Sequence, residues 1–377
     1  MDQGRPFHFR FYWKDGLNYE AGQKYTGAKE IPKALRQANL QGTIGVKLTV
    51  DGAGFFEEKG LTGFEDGVEV RRARLYTKGH FFLLLPIDFK VEFGVNWKSF
   101  VVNDFYFRFN NDRYIDYYGN LLQKPLVKGF KFDNLQIGVF RAPMGLEPLG
   151  GADAVTFIEY AAPISAFAPG DLLGIQAKGS AWEKRFTWTL GVFSPGTDKD
   201  IGNASDTLGE ANVRFTLLPW YEGQGDSLRL LHLGISGNYA YSGSQIRYRS
   251  RPESHLAPYM IDTGTIASDW AFLYGLEAAI VNGPFSLQAE YIQSFLDDDR
   301  GQNLTFKGLY AYGSWLITGE HRPYDRFTGT FGRVMPKRNF SLKKGGLGAW
   351  EIALRFSHTN LNDGYIQGGE MNVWAPV

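Results

Sequence analysis

Cysteine is absent from the 377 residues, which excludes a disulfide scaffold, thiolate catalysis and cysteine-held metal. The absence fits an exported bacterial envelope protein that avoids disulfide chemistry. Net charge is absent too: Lys plus Arg is 40 and Asp plus Glu is 40. No overall field therefore draws the molecule to nucleic acid, and no nucleic-acid partner is expected. A long hydrophobic run is also missing. The longest, 81–87, is far short of the ~20 residues a spanning helix needs. No apolar leader follows Met1, which runs straight into DQGRPFHF, so an exported form is expected to be a mature chain with an added methionine or an incomplete record. The six histidines lack metal-ligand spacing. The run Asp297–Asp299 lacks the alternation and glycine of a calcium loop, and Gly345–Gly348 precedes a strand pattern rather than a helix. No metal or cofactor is expected.

What is plentiful is aromatic residues, 16%, and glycine, 46 in all. Together with period-two alternation, they point to strands. Ile44, Val46, Leu48 and Val50 alternate with Lys47, Thr49 and Asp51, and Arg72, Arg74 and Tyr76 with Ala73, Leu75 and Thr77. After a turn expected at Gly79–His80, the odd positions from Phe81 to Val95 form one apolar face, predicting a single strand longer than the ~9–11 residues of a tilted spanning strand. The pattern recurs at 105–109, 135–139, 186–192, 213–217, 231–235, 274–280, 285–291, 304–318, about 326–334, and 346–358. One face apolar and the other polar over such lengths suits hydrocarbon outside and water inside. The expected fold class is an all-β transmembrane antiparallel β-barrel, 42–377, preceded by an N-terminal periplasmic-side extension, 1–41.

Connections sort into short (Gly79–His80, Asn282–Gly283, 362–364) and long (52–66, 141–170, 195–209, 243–268), as turns on one membrane side and loops on the other would. The 110–131 connection is too long for this rule and reads as an insertion. The stretch 141–170, APMGLEPLGGADAVTFIEYAAPISAFAPG after Arg141, is far longer than a hairpin connection and resists both helix and strand. Its apolar residues need burial, so it is expected to fold into the barrel as a constriction loop, with Glu147, Asp153, Phe157, Glu159 and Tyr160 at the narrowing.

The chain resembles the phosphate-selective porin O and P family of bacterial outer-membrane proteins. The matching stretches are WKDGL (13–17), GVKLTVDGAGFF (45–56), EVRRARL (69–75), TFIEYAAPISAFAPGDLLGIQ (156–176), IRYRSRPESHL (246–256), GPFSLQAEY (283–291), LITGEHRPYDRFTGTFGRVMPKRNFS (316–341) and GAWEIALRFSHTNLNDG (348–364). The resemblance implies a sixteen-stranded barrel in outer-membrane lipid, a homotrimer, an inward-folded third loop corresponding to 141–170, and small inorganic anions such as phosphate as solutes. Two departures stand out. Past LNDG and GGE this chain ends in MNVWAPV, so fourteen full strands, a stub of the fifteenth and no sixteenth are expected. Residues 142–170 also contain no Lys or Arg, whereas a phosphate site at the constriction is expected to be cationic.

Lumen guanidinium groups bind oxyanions through forked hydrogen bonds. Alternation places Arg72, Arg74, Lys90, Arg108, Arg185, Arg214 and Arg355 inside, with Arg141 at the loop's start. Arg247, Arg249 and Arg251 recur every second residue with no carboxylate between them and are expected to share a face. Arg333, Lys337, Arg338, Lys343 and Lys344 would surround another external loop. The blander expectation is that wall cations pair with Asp88, Glu92, Glu277, Glu290 and Glu351. Three functions follow: an anion-preferring porin for phosphate, polyphosphate or similar oxyanions, with a general diffusion porin as its alternative; a barrel-embedded hydrolase, opposed by Ser357 and His358 facing apart; and a soluble binding protein, opposed by the apolar faces.

Overall fold

The structure is a computed structural model that describes residues 8–13, 16–22, 40–56, 63–82, 86–96, 99–111, 130–151, 154–194, 209–343 and 345–377. The first strands are β1 (His8–Trp13), β2 (Leu17–Gly22), β3 (Leu40–Ala53), β4 (Gly67–Phe82), β5 (Pro86–Asn96), β6 (Ser99–Asn110) and β7 (Phe130–Arg141). Two short helices follow, α1 (Glu147–Gly150) and α2 (Ala162–Phe167), then β8 (Asp171–Ala181), β9 (Phe186–Ser194), β10 (Gly209–Glu222) and β11 (Arg229–Ile246). A two-residue pair, β12 (Arg249–Ser250) and β13 (Ile261–Asp262), precedes β14 (Ile266–Asn282), β15 (Phe285–Asp297) and β16 (Asn303–Leu316). A second such pair, β17 (Tyr324–Asp325) and β18 (Thr330–Phe331), precedes β19 (Glu351–Asp363) and β20 (Ile366–Pro376). Among the described residues, sixteen long strands are hydrogen-bonded in chain order. They form two compact units. The first holds β1–β7 and most of β8; the second holds 52–67, 141–170 and everything from Ser180 onward.

The alternation read from sequence becomes an inverted burial pattern. In β14, β15, β16 and β19 the exposed positions are Phe272, Leu276, Ile280, Leu287, Trp315, Ile352 and Leu354, while the buried ones include Glu277, Gln288, Glu290, Ser294, Arg355 and Ser357. The first unit does likewise, with Leu75, Phe105, Phe107 and Ile137 exposed and Glu92, Asp133 and Gln136 buried. Proteins in water bury the apolar set and expose the charged one. Here the apolar face is the outer one, which suits hydrocarbon surroundings, and β14 at 17 residues exceeds the ~9–11 that cross a bilayer.

Several segments differ from expectation. Gly79 and His80 are strand residues of β4, opposite Phe89 and Asp88, and Phe81 faces Ile87. The face expected to run unbroken from 81 to 95 therefore belongs to two strands. Residues 83–85, with Leu83 and Leu85, lie outside the described residues. Pro86 opens β5, a position where a missing N–H is tolerated. The strand expected near 326–334 shrinks to β17 and β18 because the Gly329 N–H turns back onto the Asp325 carbonyl at 2.9 Å. The C-terminal segment expected as a stub is an 11-residue strand pairing with β19 from Leu354↔Pro376 to Asp363↔Ile366. In the 1–41 segment, β1 and β2 pair with each other, and β2 pairs with β3. Nearly all of the 110–131 and 195–209 connections lie outside the described residues.

Antiparallel order in the second unit puts 247–265, 298–302 and the turn at 364–365 at one end of the strands. The turns at 223–228 and 283–284 lie at the other end, together with the long 317–350 connection. Short and long connections are thus not sorted by side as expected. Arg333, Lys337, Arg338 and Lys343 lie on 317–350, at the strand end opposite 247–265; Lys344 lies outside the described residues.

Candidate functional site

Residues 141–170 lie against the polar face of the second unit. Pro148 and Pro163 occupy first-turn positions of α1 and α2, where a missing N–H costs nothing. The apolar side chains of the stretch find aromatic partners: Phe157 on Tyr312 of β16 at 5.2 Å and Phe167 on Tyr248 of the 247–265 connection at 5.1 Å between ring centroids. Buried polar groups of the wall then hold the loop's backbone. Glu290 accepts the N–H groups of Leu146 (2.7 Å) and Glu147 (2.8 Å) and the hydroxyl of Tyr310 (2.5 Å). Gly145 passes so close to this carboxylate that a Cβ there would sit 2.9 Å from Glu290 Oε2, and its φ is +80°.

Arg355 is the centre of the clamp. Its Nη1 donates to Glu147 Oε1 at 3.0 Å, its Nε to Glu253 Oε2 at 2.9 Å, and its Nη2 to the Glu159 carbonyl at 3.0 Å, while the Phe157 ring lies 4.2 Å from its guanidinium carbon. Glu253 also accepts the Ala162 N–H at 2.9 Å and the Ser357 hydroxyl at 2.5 Å, and Glu147 accepts the Ala161 N–H at 2.9 Å. Burial pushes the Glu147 carboxyl up to about 7 despite the guanidinium beside it. Tyr160 packs under Arg141, 5.8 Å from its guanidinium carbon. Asp153 lies outside the described residues.

A second buried cluster ties down the 317–350 connection. Arg214 donates to both oxygens of Glu277, at 2.8 and 2.7 Å, and to the carbonyls of Thr328 (3.3 Å) and Gly329 (2.9 Å). His232 bridges Glu277 (3.0 Å) and the Tyr324 hydroxyl (2.7 Å). Arg322 donates to Gln288 at 2.7 Å and stacks 4.0 Å from the Phe331 ring.

The arginine row divides. Arg247 pairs with Asp262 across the β12–β13 hairpin, Nε to Oδ1 at 2.8 Å. The absence of an interleaved carboxylate in sequence thus does not leave it unpaired. Burial works against ionisation of Asp262, but Arg247 and the Gly264 N–H hold its carboxyl below the usual range. Arg249 and Arg251 instead share the Tyr259 ring, at 4.1 and 4.4 Å; neither forms an ion pair among the described residues, although Arg249 stands opposite Asp262 and helps to hold that carboxyl down.

In the first unit, Arg74 and Lys90 meet Glu92 at 2.8 and 3.0 Å, and Lys90 also bonds Asp104. Arg108 lies over Tyr106, 5.4 Å from the ring centroid, and Arg72 has partners of its own. Arg185 closes the turn after β8, its N–H on the Trp182 carbonyl at 3.0 Å, rather than sitting at a strand position. Arg333 is exposed on the 317–350 connection, its guanidinium donating to the Met335 sulfur at 3.9 Å.

Of the expected wall carboxylates, Glu92 and Glu277 do pair with cations. Glu290 serves the loop backbone, Glu351 accepts from Thr156 at 3.3 Å, and Asp88 from Asn110 at 3.2 Å. Sequence reasoning missed Glu253, Tyr259, Tyr310 and Arg322. Only the dense RPES stretch around Glu253 offered a signal. His358 bonds Asn372 at 2.9 Å on the face opposite buried Ser357, so these two do not form a catalytic pair.

The phosphate-selective porin O and P family matches residues 43–375. Among curated proteins, an uncharacterized protein of Caulobacter vibrioides is 31% identical over 241 residues, 61% of this chain and 47% of that protein. Porin O of Pseudomonas aeruginosa is 28% identical over 262 residues, 62% of this chain and 56% of that protein. The chain thus spans about half the length of the curated relatives it matches. Among solved structures, the anion-selective porin from Comamonas acidovorans aligns with a TM-score of 0.40 at 12% identity, covering 82% of this chain and 86% of that one. The family match runs from β3 into β20, and on that extent the chain belongs to the phosphate-selective porin O and P family.

Proposed function

We propose that this protein is an outer-membrane porin whose water-filled pore prefers small anions, with phosphate, polyphosphate or similar oxyanions as solutes. The observation that carries the proposal is the inverted burial pattern, with apolar side chains on the exposed face and arginine, glutamate, glutamine and serine on the other. A pore wall needs that division, and the family supports its use as a channel. The loop 141–170, pinned to the polar face by Arg355 and Glu290, is the proposed constriction. Arg249 and Arg251 are the proposed anion contacts. Arg214, Arg355, Arg74 and Lys90 are already neutralised by carboxylates and act as wall and loop supports. The protomer is proposed to assemble as a homotrimer in outer-membrane lipid.

The general diffusion porin keeps a specific observation in its favour: residues 142–170 carry no cation, and the Arg355 guanidinium that clamps them faces two glutamates. Planar-bilayer reversal potentials under a KCl gradient, followed by titration with phosphate, separate the two. Chloride preference with phosphate block supports the oxyanion porin. Chloride preference without block leaves a general anion porin, and cation preference overturns the proposal.

A further inference from the structure

The exposed face of the second unit carries a groove of about 590 Å³ walled by Phe285, Leu287, Trp315, Ile352 and Leu354. Its origin is one glycine. Gly313 stands between Leu287 on β15 and Leu354 on β19, so the middle strand contributes no side chain to that row. The next row toward the strand ends is Phe285, Trp315 and Ile352. The ladder continues beyond the strands: the Ile317 N–H donates to the Trp350 carbonyl at 2.8 Å, and the Gly348 N–H to the Arg338 carbonyl at 3.1 Å. Ser341 bridges Gly346, so 345–348 runs back beside 338–341 next to the strand end.

That segment is apolar and basic at once. Phe340, Leu342, Leu347 and Trp350 are exposed, Leu342 at 90%. From Arg326 to Trp350 the sequence holds six cations (Arg326, Arg333, Lys337, Arg338, Lys343, Lys344) and no Asp or Glu. Lys337 is engaged by Asp226 at 2.9 Å, whereas exposed Arg338 and Lys343 have no carboxylate partner among the described residues. From Ile352 in the groove to Gly348 beside Arg338 the extended chain covers roughly 13 Å. An occupant must therefore be apolar along its length and anionic at its end. A second copy docked two-fold on this surface would bring like charges together. An anionic phospholipid satisfies both demands.

We propose that this corner is a binding site for an anionic phospholipid, with an acyl chain over Gly313 between Leu287 and Leu354 and the phosphate on Arg338 and Lys343. The inference rests on the membrane location proposed above. Native mass spectrometry of the detergent-solubilised protein with phosphatidylglycerol or phosphatidylcholine of equal acyl length tests it. The native chain should retain phosphatidylglycerol preferentially, and R338A/K343A should lose that preference by about fivefold per side chain removed. G313W should reduce adducts of both lipids, with heat-modifiable gel mobility reporting that each variant is folded. Equal retention of the two lipids by the native chain, or no response to either variant, overturns the lipid site while leaving the porin standing. A protein that is monodisperse without detergent and takes up neither lipid sinks the membrane location itself.

Discussion

Arg355 on β19 and Glu147 on α1, 208 residues apart in sequence, meet at 3.0 Å on the polar face of the second unit. Both are buried, and the guanidinium also serves Glu253 and a loop carbonyl. Replacing Arg355 with Met leaves two buried glutamates without a cation, a change expected to cost ~3–5 kcal/mol. Urea unfolding of the refolded protein measures it. A loss below ~1 kcal/mol, the scale of an exposed pair, would show that the clamp is not what holds the loop.

Glu290 accepts two adjacent loop N–H groups and a tyrosine hydroxyl. A glutamine there keeps one acceptor oxygen and brings two donors, so E290Q should weaken loop docking by about 1–3 kcal/mol. Hydrogen exchange at the Leu146 and Glu147 amides should speed up while strand amides are unchanged. Unaltered protection at those two sites would refute the contact.

Loop docking should also depend on pH. The Glu147 carboxyl, raised to about 7 by burial, binds its proton more tightly in the docked state than in the free one. Its contribution is fully present below the ordinary carboxylate range and is lost as pH rises through 7. The protection factor of the Ala161 amide, corrected for intrinsic exchange, is expected to fall between pH 5 and pH 8. E147Q should flatten that dependence, and a rise with pH would reverse the sign argued here.

The exposed apolar face makes a prediction that separates lipid from water. Ile235 on β11 is half exposed, so arginine there would be nearly neutral in a soluble protein. Facing hydrocarbon, I235R should cost about 2–4 kcal/mol near mid-bilayer. Equilibrium unfolding from lipid vesicles gives the number, and a change near zero argues against bilayer contact at that position.

Selectivity should follow the unpaired cations. R249A/R251A is expected to lower the anion-to-cation permeability ratio with little change in melting temperature, because these side chains stack on Tyr259 and form no ion pair among the described residues. R247A should shift it less, its charge being matched by Asp262. Reversal potentials rank the three variants. If R247A has the largest effect, the Tyr259 pair is not the anion contact.

The fold was largely legible because period-two alternation needs no tertiary information: Phe215, Thr216 and Leu217 declare their faces in sequence order. It misled at Phe81–Val95, where both arms of a hairpin kept the same parity and read as one strand. The site was less legible. That Arg214 and Arg355 face the polar side followed from alternation, but their partners are Glu277, Glu147 and Glu253, placed by strand order and loop return rather than by spacing. Asp262 reaches Arg247 for the same reason. The backbone donors at Leu146, Glu147, Ala161 and Ala162 carry no side-chain signature at all, so no pattern of residue types announces Glu290 as a loop anchor.

In the second unit every long strand bonds only to its predecessor and successor in the chain, from β9 to β20. A two-strand module spliced in at Gly364–Tyr365 would lengthen the array at the cost of one ladder, that of β19 with β20, and leave the others in the unit as they are. The width of this array is therefore a quantity that duplication of hairpins can tune, whereas the clamps of Arg355 and Arg214, which tie strands to the 141–170 and 317–350 connections, resist such edits.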